Sequence, residues 1–407
     1  MGALPGGSVR ADAAAIAADL AELRHRIHRE PEIGLHLPQT QQQVLGALDG
    51  LPLEVSLGSA LSSVTAVLRG AQPGPTVLLR GDMDALPITE RTGLAYTSAV
   101  TGVMHACGHD LHTAMLAGAA RILSARRRDL AGNVIFMFQP GEEGHAGARH
   151  MINEGVLDAA GGRPVAAYAL HVASAQLGHG LFATRAGSMM AAADVLDVTV
   201  RGHGGHASQP HLSADPIPAA CEMVTALQAL VTRRFDVFDP VVITVGSFHA
   251  GTTDNVIPDE AHFLATVRSF SRAARDRVRA ASVRLVTEIA GAHGLQASAE
   301  YLDEYPVTVN DAAEAAFAGQ QAAALFGAGR VLAQPNPLPG AEDFSFVLEQ
   351  VPGAFVMLGA TPAGADPATA PFNHAADAVF DDSVLADGTT LLAELALRRL
   401  AAEEPAG

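Results

Sequence analysis

The chain has 407 residues, 49% hydrophobic and 17% charged, which predicts two or three domains with ample material for buried sheets. Its formal net charge of −17 excludes a nucleic-acid binder, since phosphate contacts need clustered Arg or Lys in a favourable field. All 26 basic residues are arginine, so lysine chemistry such as Schiff bases and the P-loop is excluded too.

Two cysteines, Cys107 and Cys221, in so long a chain predict reduced thiols and a cytoplasmic protein. Arg10, Asp12 and Asp19 interrupt the N-terminal apolar stretch, so no signal peptide is expected. Gly2 lacks the Ser or Thr at position 6 that myristoylation needs, and no apolar run reaches membrane-spanning length.

In chain order, "ADAAAIAADLAELRHRIHREPEIG" carries Ile16, Leu20, Leu23 and Ile27 at helical spacing and stops before Pro31, which predicts a surface helix. Apolar runs then alternate with helical stretches: "SSVTAVLRG", "PTVLLRGDMDALP", a helix from about Asp110 to Arg128, "GNVIFMFQPGEEG", a helix around "ARHMINEGVL", and "AAYALHV". This alternation predicts an α/β domain with a mostly parallel central sheet flanked by helices. Asp82/Asp84, Glu142/Glu143 and His171 fall just after strands, where open α/β sheets place their sites. From about Ala192 to Asp303 the order becomes β-α-β-β-α-β, the ferredoxin-like unit. The expected division is therefore a discontinuous domain of residues 1–191 and 304–407, with 192–303 inserted.

"MHACGHDLHTAM" places His105, Cys107, His109, Asp110 and His112 between a strand and a helix. Cys107 and His109 can turn toward one point and are good ligands for zinc and related divalent metals. The same letters also suit a nucleophilic thiol with His109 as its base, or a helix start capped by Asp110. "FQPGEEG" adds Glu142 and Glu143, and beside a metal such a pair divides its labour, one carboxylate ligating and its neighbour taking a proton. A cysteine hydrolase has no use for the second acid. His171 and His374 complete a mixed set, Cys107, His109, Glu143, His171 and His374, sufficient for two metals. Asp82 and Asp84 can orient imidazoles around them. In the inserted segment, "RGHGGHASQPH" presents His206 among glycines, and "TTDNVIPD" and "ATVRSF" add Asn255 and Arg268, suited to an amide or carboxylate end of a ligand.

"RGDMDALP", "MHACGHDLHTAMLAGAA", "FQPGEEGHAGARHMI", "RGHGGHASQPH", "DNVIPDEAHFLATVR" and "GAEDFS" followed by "NHA" closely resemble the metal-dependent amidohydrolases of the aminoacylase/carboxypeptidase superfamily. The nearest branch holds hippurate hydrolases, indole-acetyl-amino-acid hydrolases and N-acyl-amino-acid amidohydrolases. The resemblance implies a dinuclear metal centre of Zn²⁺ or Mn²⁺, with Co²⁺ or Ni²⁺ also accepted, in a catalytic domain with an inserted lid or dimerisation domain. It implies Cys107, His109, Glu143, His171 and His374 as ligands and Glu142 as general base. It further implies that His206 polarises the scissile carbonyl, reaching a partner subunit's site, with Asn255 and Arg268 holding substrate. Asp82, Asp84 and Asp110 are expected around the ligands rather than among them. Gly141 stands where many members have Ala, a change expected to loosen the turn before the two glutamates. The expected activity is hydrolysis of N-acyl-L-amino acids by a homodimer that binds neither nucleic acid nor membrane; a dipeptidase or carboxypeptidase, or a silent metal-binding homologue, is the alternative.

Overall fold

The strands Ala131–Gln139, Gln72–Asp82, Ala166–Ala173 and Gly353–Gly359 each contain a run of successive buried, mostly apolar residues, as strands covered on both faces must. In the computed structural model of the chain, which describes residues 7–402, they lie side by side in that order, all parallel, at the centre of an eight-stranded sheet. Val64–Arg69 and Leu53–Leu57 extend one side antiparallel. On the other side Phe182–Thr184 joins antiparallel, and Val331–Ala333 pairs with it in parallel. The sheet is thus mostly parallel, with antiparallel pairs confined to its flanks. Because the central four share one direction, the ends of three of them bring Asp82, Gln139 and His171 to one edge.

The helix His109–Ala125 is buried along almost its whole length. The N-terminal stretch read as one surface helix is two, Val9–Ala15 and Ala17–Arg29, parted at Ile16. Its stripe Leu20, Leu23 and Ile27 is buried as the spacing predicts, but Arg24 and His28 are buried beside it. Their buried partner is Asp110, so this helix carries a polar anchor as well as an apolar face. Position 2, where myristoylation was considered, lies outside the described residues.

The chain divides into two compact units. The first takes residues up to Gly187, Val309–Pro335 and the chain from Phe346 onward; the second takes Ser188–Thr308 and Asn336–Ser345. In the second unit, strands Val241–Ala250, Glu260–Ser269, Ala192–Arg201 and Gln296–Tyr305 form an antiparallel sheet in that order. Strict alternation along Glu260–Ser269 buries Phe263, Ala265 and Val267 in one core with Ala219, Met223 and Leu227 of helix Pro216–Arg234 and Val278 and Val286 of helix Arg272–Ala292. The short segment Asn336–Ser345 belongs here because the Leu338 amide donates to Met189 O at 2.8 Å and the Ala191 amide donates to Leu338 O at 3.0 Å. Among the described residues no helix is long and apolar enough to cross a membrane. Both cysteines are free, Cys107 buried and Cys221 exposed.

Candidate metal centre

Two tight turns bring the donors to the sheet edge. Gly108, between Cys107 and His109, has φ +83°, and a Cβ there would stand 2.4 Å from Val172 Cγ2, so only glycine passes. Gly141 has φ +71°, with Leu35 Cδ2 2.6 Å from where a Cβ would lie. The glycine therefore fits its left-handed position closely. Glu142 and Glu143 follow in an irregular turn rather than a regular helix, since Glu143 has ψ +79° and Gly144 φ +79°.

The potential donor atoms of Cys107, His109 and His171 all lie within 4.8 Å of one another, and so do those of Cys107, Glu143 and His374. The two triads share Cys107. Its Sγ is 3.4 Å from His171 Nε2, and His374 Nε2 is 3.0 Å from a Glu143 oxygen. A third group joins Glu142 to His109 and Glu143 within the same 4.8 Å, so a carboxylate outside both triads stands beside them.

The donor set is not satisfied by its own hydrogen bonding. Both ring nitrogens of His109 are buried without a hydrogen-bond partner, an arrangement that costs free energy unless something else satisfies them. Nδ1 lies 3.4 Å from Asp84 Oδ1 and Nε2 3.7 Å from Asp82 Oδ2. A thiol, two further imidazoles and a carboxylate around such an unsatisfied imidazole are the chemistry of a divalent-cation site. Burial holds His171 well below its usual pKa, helped by neighbouring His112, so its Nε2 keeps a free lone pair. His171 Nδ1 points at Val172 O, 2.9 Å away, which sets that tautomer. Hydrogen bonds that the His374 imidazole donates to Cys107 and Glu143 push its pKa up to about 10.

Other polar residues in the same stretches are committed elsewhere. His112 Nδ1 faces Asp82 Oδ1 at 2.5 Å while its Nε2 accepts the Val172 amide at 2.8 Å. Both nitrogens are used, so His112 is a brace and not a donor. Asp82 is held in turn by Arg80, whose Nε donates to Gln139 at 2.8 Å. Asp84 accepts the backbone amides of Glu142 and Glu143, each at 3.0 Å, and so sets the position of both glutamates. Asp110, one residue from His109, turns away from the donors: it accepts from Arg24 Nε at 2.7 Å and faces His28 Nδ1 at 2.8 Å. Burial opposes its charge, but the Arg24 and His28 charges hold its carboxyl far below the usual range. His105 is buried, with neither ring nitrogen hydrogen-bonded, and burial pushes it down to about 4.

In the second unit, His206 and Asn255 come together. His206 pairs with Val256 in a short two-stranded ladder, the Ala207 amide donates to Asn255 O at 3.1 Å, and both residues are exposed. His206 Nδ1 accepts from Ser208. Arg268 is not with them. It lies eight residues along the strand from Glu260, which opposes Arg201 at the end nearer His206, roughly 26 Å at the usual strand rise.

Residue patterns missed Arg80, Gln139 and Asn373. Arg80 carried a signal, a charge inside the apolar run "TVLLRGD", where an arginine is buried only if paired. Gln139 and Asn373 carried none.

The profile of Peptidase family M20/M25/M40 matches residues 78–398. Thermostable carboxypeptidase 1 of Saccharolobus solfataricus is 36% identical over 344 residues, covering 84% of this chain and 85% of that protein. N-acetylcysteine deacetylase of Bacillus subtilis is 35% identical over 379 residues, covering 93% and 96%. The crystal structure of Bacillus subtilis YXEP protein, described as a dinuclear metal binding peptidase, superposes with a TM-score of 0.82 at 32% identity, covering 95% of this chain and 99% of that one.

Proposed function

The chain belongs to peptidase family M20/M25/M40, and on that premise we propose that it hydrolyses the amide bond of N-acyl-L-amino acids, releasing a carboxylic acid and a free amino acid. It is a metal-dependent amidohydrolase; the substrate class, the ligand set and the residue roles are our reading. Cys107, His109, Glu143, His171 and His374 would hold two divalent ions, Zn²⁺ or Mn²⁺. Bound there, such ions act as Lewis acids that acidify water and polarise a carbonyl oxygen.

The observation that carries this reading is Glu142, a buried carboxylate within 4.8 Å of His109 and Glu143. Its backbone is pinned by Asp84, whose Oδ1 accepts the Glu142 amide at 3.0 Å, which fixes where its carboxylate stands. Glu142 takes a proton from the attacking water and returns it to the departing amine nitrogen. His206 donates a hydrogen bond to the carbonyl oxygen as negative charge grows there. Asn255 and Arg268 hold the amide and carboxylate ends of the substrate. Within one chain His206 and Arg268 are too far apart to meet one small substrate, which supports a homodimer in which each site draws on both copies. In this reading residues 192–303 form the lid or dimerisation domain of a cytoplasmic enzyme.

The test is a panel of N-acetyl, N-benzoyl and indole-acetyl amino acids with dipeptides and C-terminal peptide substrates, read as free amine. Activity on acyl amino acids that is lost in chelator and restored by Zn²⁺ or Mn²⁺ is expected. Turnover of peptides alone would instead favour a peptidase, the activity in the name of the Saccharolobus relative. Activity that survives chelation would return Cys107 to the role of nucleophile.

A further inference from the structure

Asn373 precedes His374 and enters none of the chemistry above, yet every hydrogen-bonding site of its side chain is engaged. Nδ2 donates to Cys107 O at 3.2 Å and to Val172 O at 3.0 Å, and it stands 3.8 Å from Cys107 Sγ. Oδ1 accepts from the Ser174 amide at 2.9 Å and from Ser174 Oγ at 3.1 Å. The orientation of the amide is not arbitrary: Cys107 O and Val172 O only accept, and the Ser174 amide only donates, so nitrogen and oxygen cannot exchange places.

These contacts reach three ligand-bearing segments at once. One is the Cys107 turn. The second is the strand end at His171, because the Val172 carbonyl that takes the Asn373 amide also faces His171 Nδ1 at 2.9 Å. The third is His374 itself, whose φ of +72° is an uncommon conformation for a residue with a Cβ. That conformation is held by the His374 amide donating to Ala106 O at 2.8 Å, next to the Asn373 bonds. Only Asn meets these demands. Asp has the size but no donors, Gln is a methylene too long, and Ser reaches one side alone.

We infer that Asn373 is a positioning residue for the two-triad site, holding Cys107, His171 and His374 in mutual register and directing an N–H toward the Cys107 sulfur. The inference rests on the proposed ligand set. Outer partners of this kind typically change metal affinity by about 10–100-fold when removed.

The experiment uses the full chain stripped of metal and titrated with Co²⁺, followed by equilibrium dialysis and by the thiolate-to-cobalt charge-transfer absorption. The wild-type protein is expected to show that band and Cys107→Ser to lose it. Asn373→Asp, which keeps the size and removes the donors, is expected to bind Co²⁺ about 10–100-fold more weakly, with a shifted band at saturating metal. A purely structural role would leave the saturated band where it is. Ser174→Ala, which removes the hydroxyl that faces both Asn373 Oδ1 at 3.1 Å and Pro371 O at 2.9 Å, is expected to lose about 2- to 10-fold in affinity, and it carries the test if Asn373→Asp does not fold. Wild-type affinity and an unmoved band in Asn373→Asp, or in Ser174→Ala where that variant carries the test, overturn the inference. A band that is absent in the wild type or survives Cys107→Ser overturns the ligand assignment instead.

Discussion

The donor cluster and the His206 ladder are built in opposite ways. Around the donors, the residues that brace them are tied down: Asp84 grips two backbone amides, His112 is used at both nitrogens, and Asn373 at all four of its bonds. His206 and Asn255 are exposed, on a ladder of two residue pairs, and the His206 imidazole is hydrogen-bonded to Ser208 in its own turn. The difference teaches that ligand geometry is set in advance by buried hydrogen bonds. Residues proposed to touch substrate are left with unspent hydrogen-bonding capacity.

The comparison can be broken most directly at Glu142. Glu142→Gln is expected to lower kcat by about 10³–10⁴-fold with metal content unchanged by elemental analysis; an active variant would remove the proposed base. Next in size is the scaffold of the donor side. Arg24 Nε is paired to Asp110 with both side chains fully buried, so Arg24→Ala is expected to destabilise the protein by about 3–5 kcal/mol in denaturant titration. A change under about 1 kcal/mol would show that this anchor is dispensable.

His206→Ala probes the other side. It is expected to lower kcat about 10²–10³-fold while leaving the melting temperature and metal content at wild-type values. A fall in metal content would place His206 among the structural elements and dissolve the contrast. The smallest effect is a pH dependence. Burial opposes a charge on His28, but Asp110 outweighs it and raises its pKa above the ordinary value of 6.5. A raised imidazole stabilises the fold fully below about pH 6.5, and that contribution is lost as pH rises through the folded-state pKa. The difference in urea midpoint between wild type and His28→Gln should therefore be largest in mild acid and shrink with rising pH. A constant difference across the series would show that packing, not charge, is what His28 contributes.

Much of this could be read in the residues. Apolar runs punctuated by Asp82, Glu142 and His171 announce parallel strands with polar groups at their ends, because strands buried on both faces must be continuously apolar and must stop where the site begins. The β-α-β-β-α-β order of residues 192–303 was equally legible, since period-2 and period-3.6 patterns differ plainly. The jobs of individual letters within a motif were not. His105, His109 and His112 look alike in "MHACGHDLH", yet one is buried without a hydrogen bond, one is unsatisfied among donors and one is a saturated brace. Asp110 reads as a cap beside the metal motif, but Arg24, 86 positions away, claims it.

By itself the sequence determined the α/β class, the order of the elements and the residues capable of binding a divalent ion, because periodicity and side-chain chemistry are local properties. Only the tertiary structure decided that Cys107 is common to two triads, that the Glu142 carboxylate stands beside them, and that Asn373 joins the segments of Cys107, His171 and His374. Those facts depend on distances between residues tens to hundreds of positions apart. A hydrogen bond of 3 Å is set by how strands and helices pack, which no local pattern encodes.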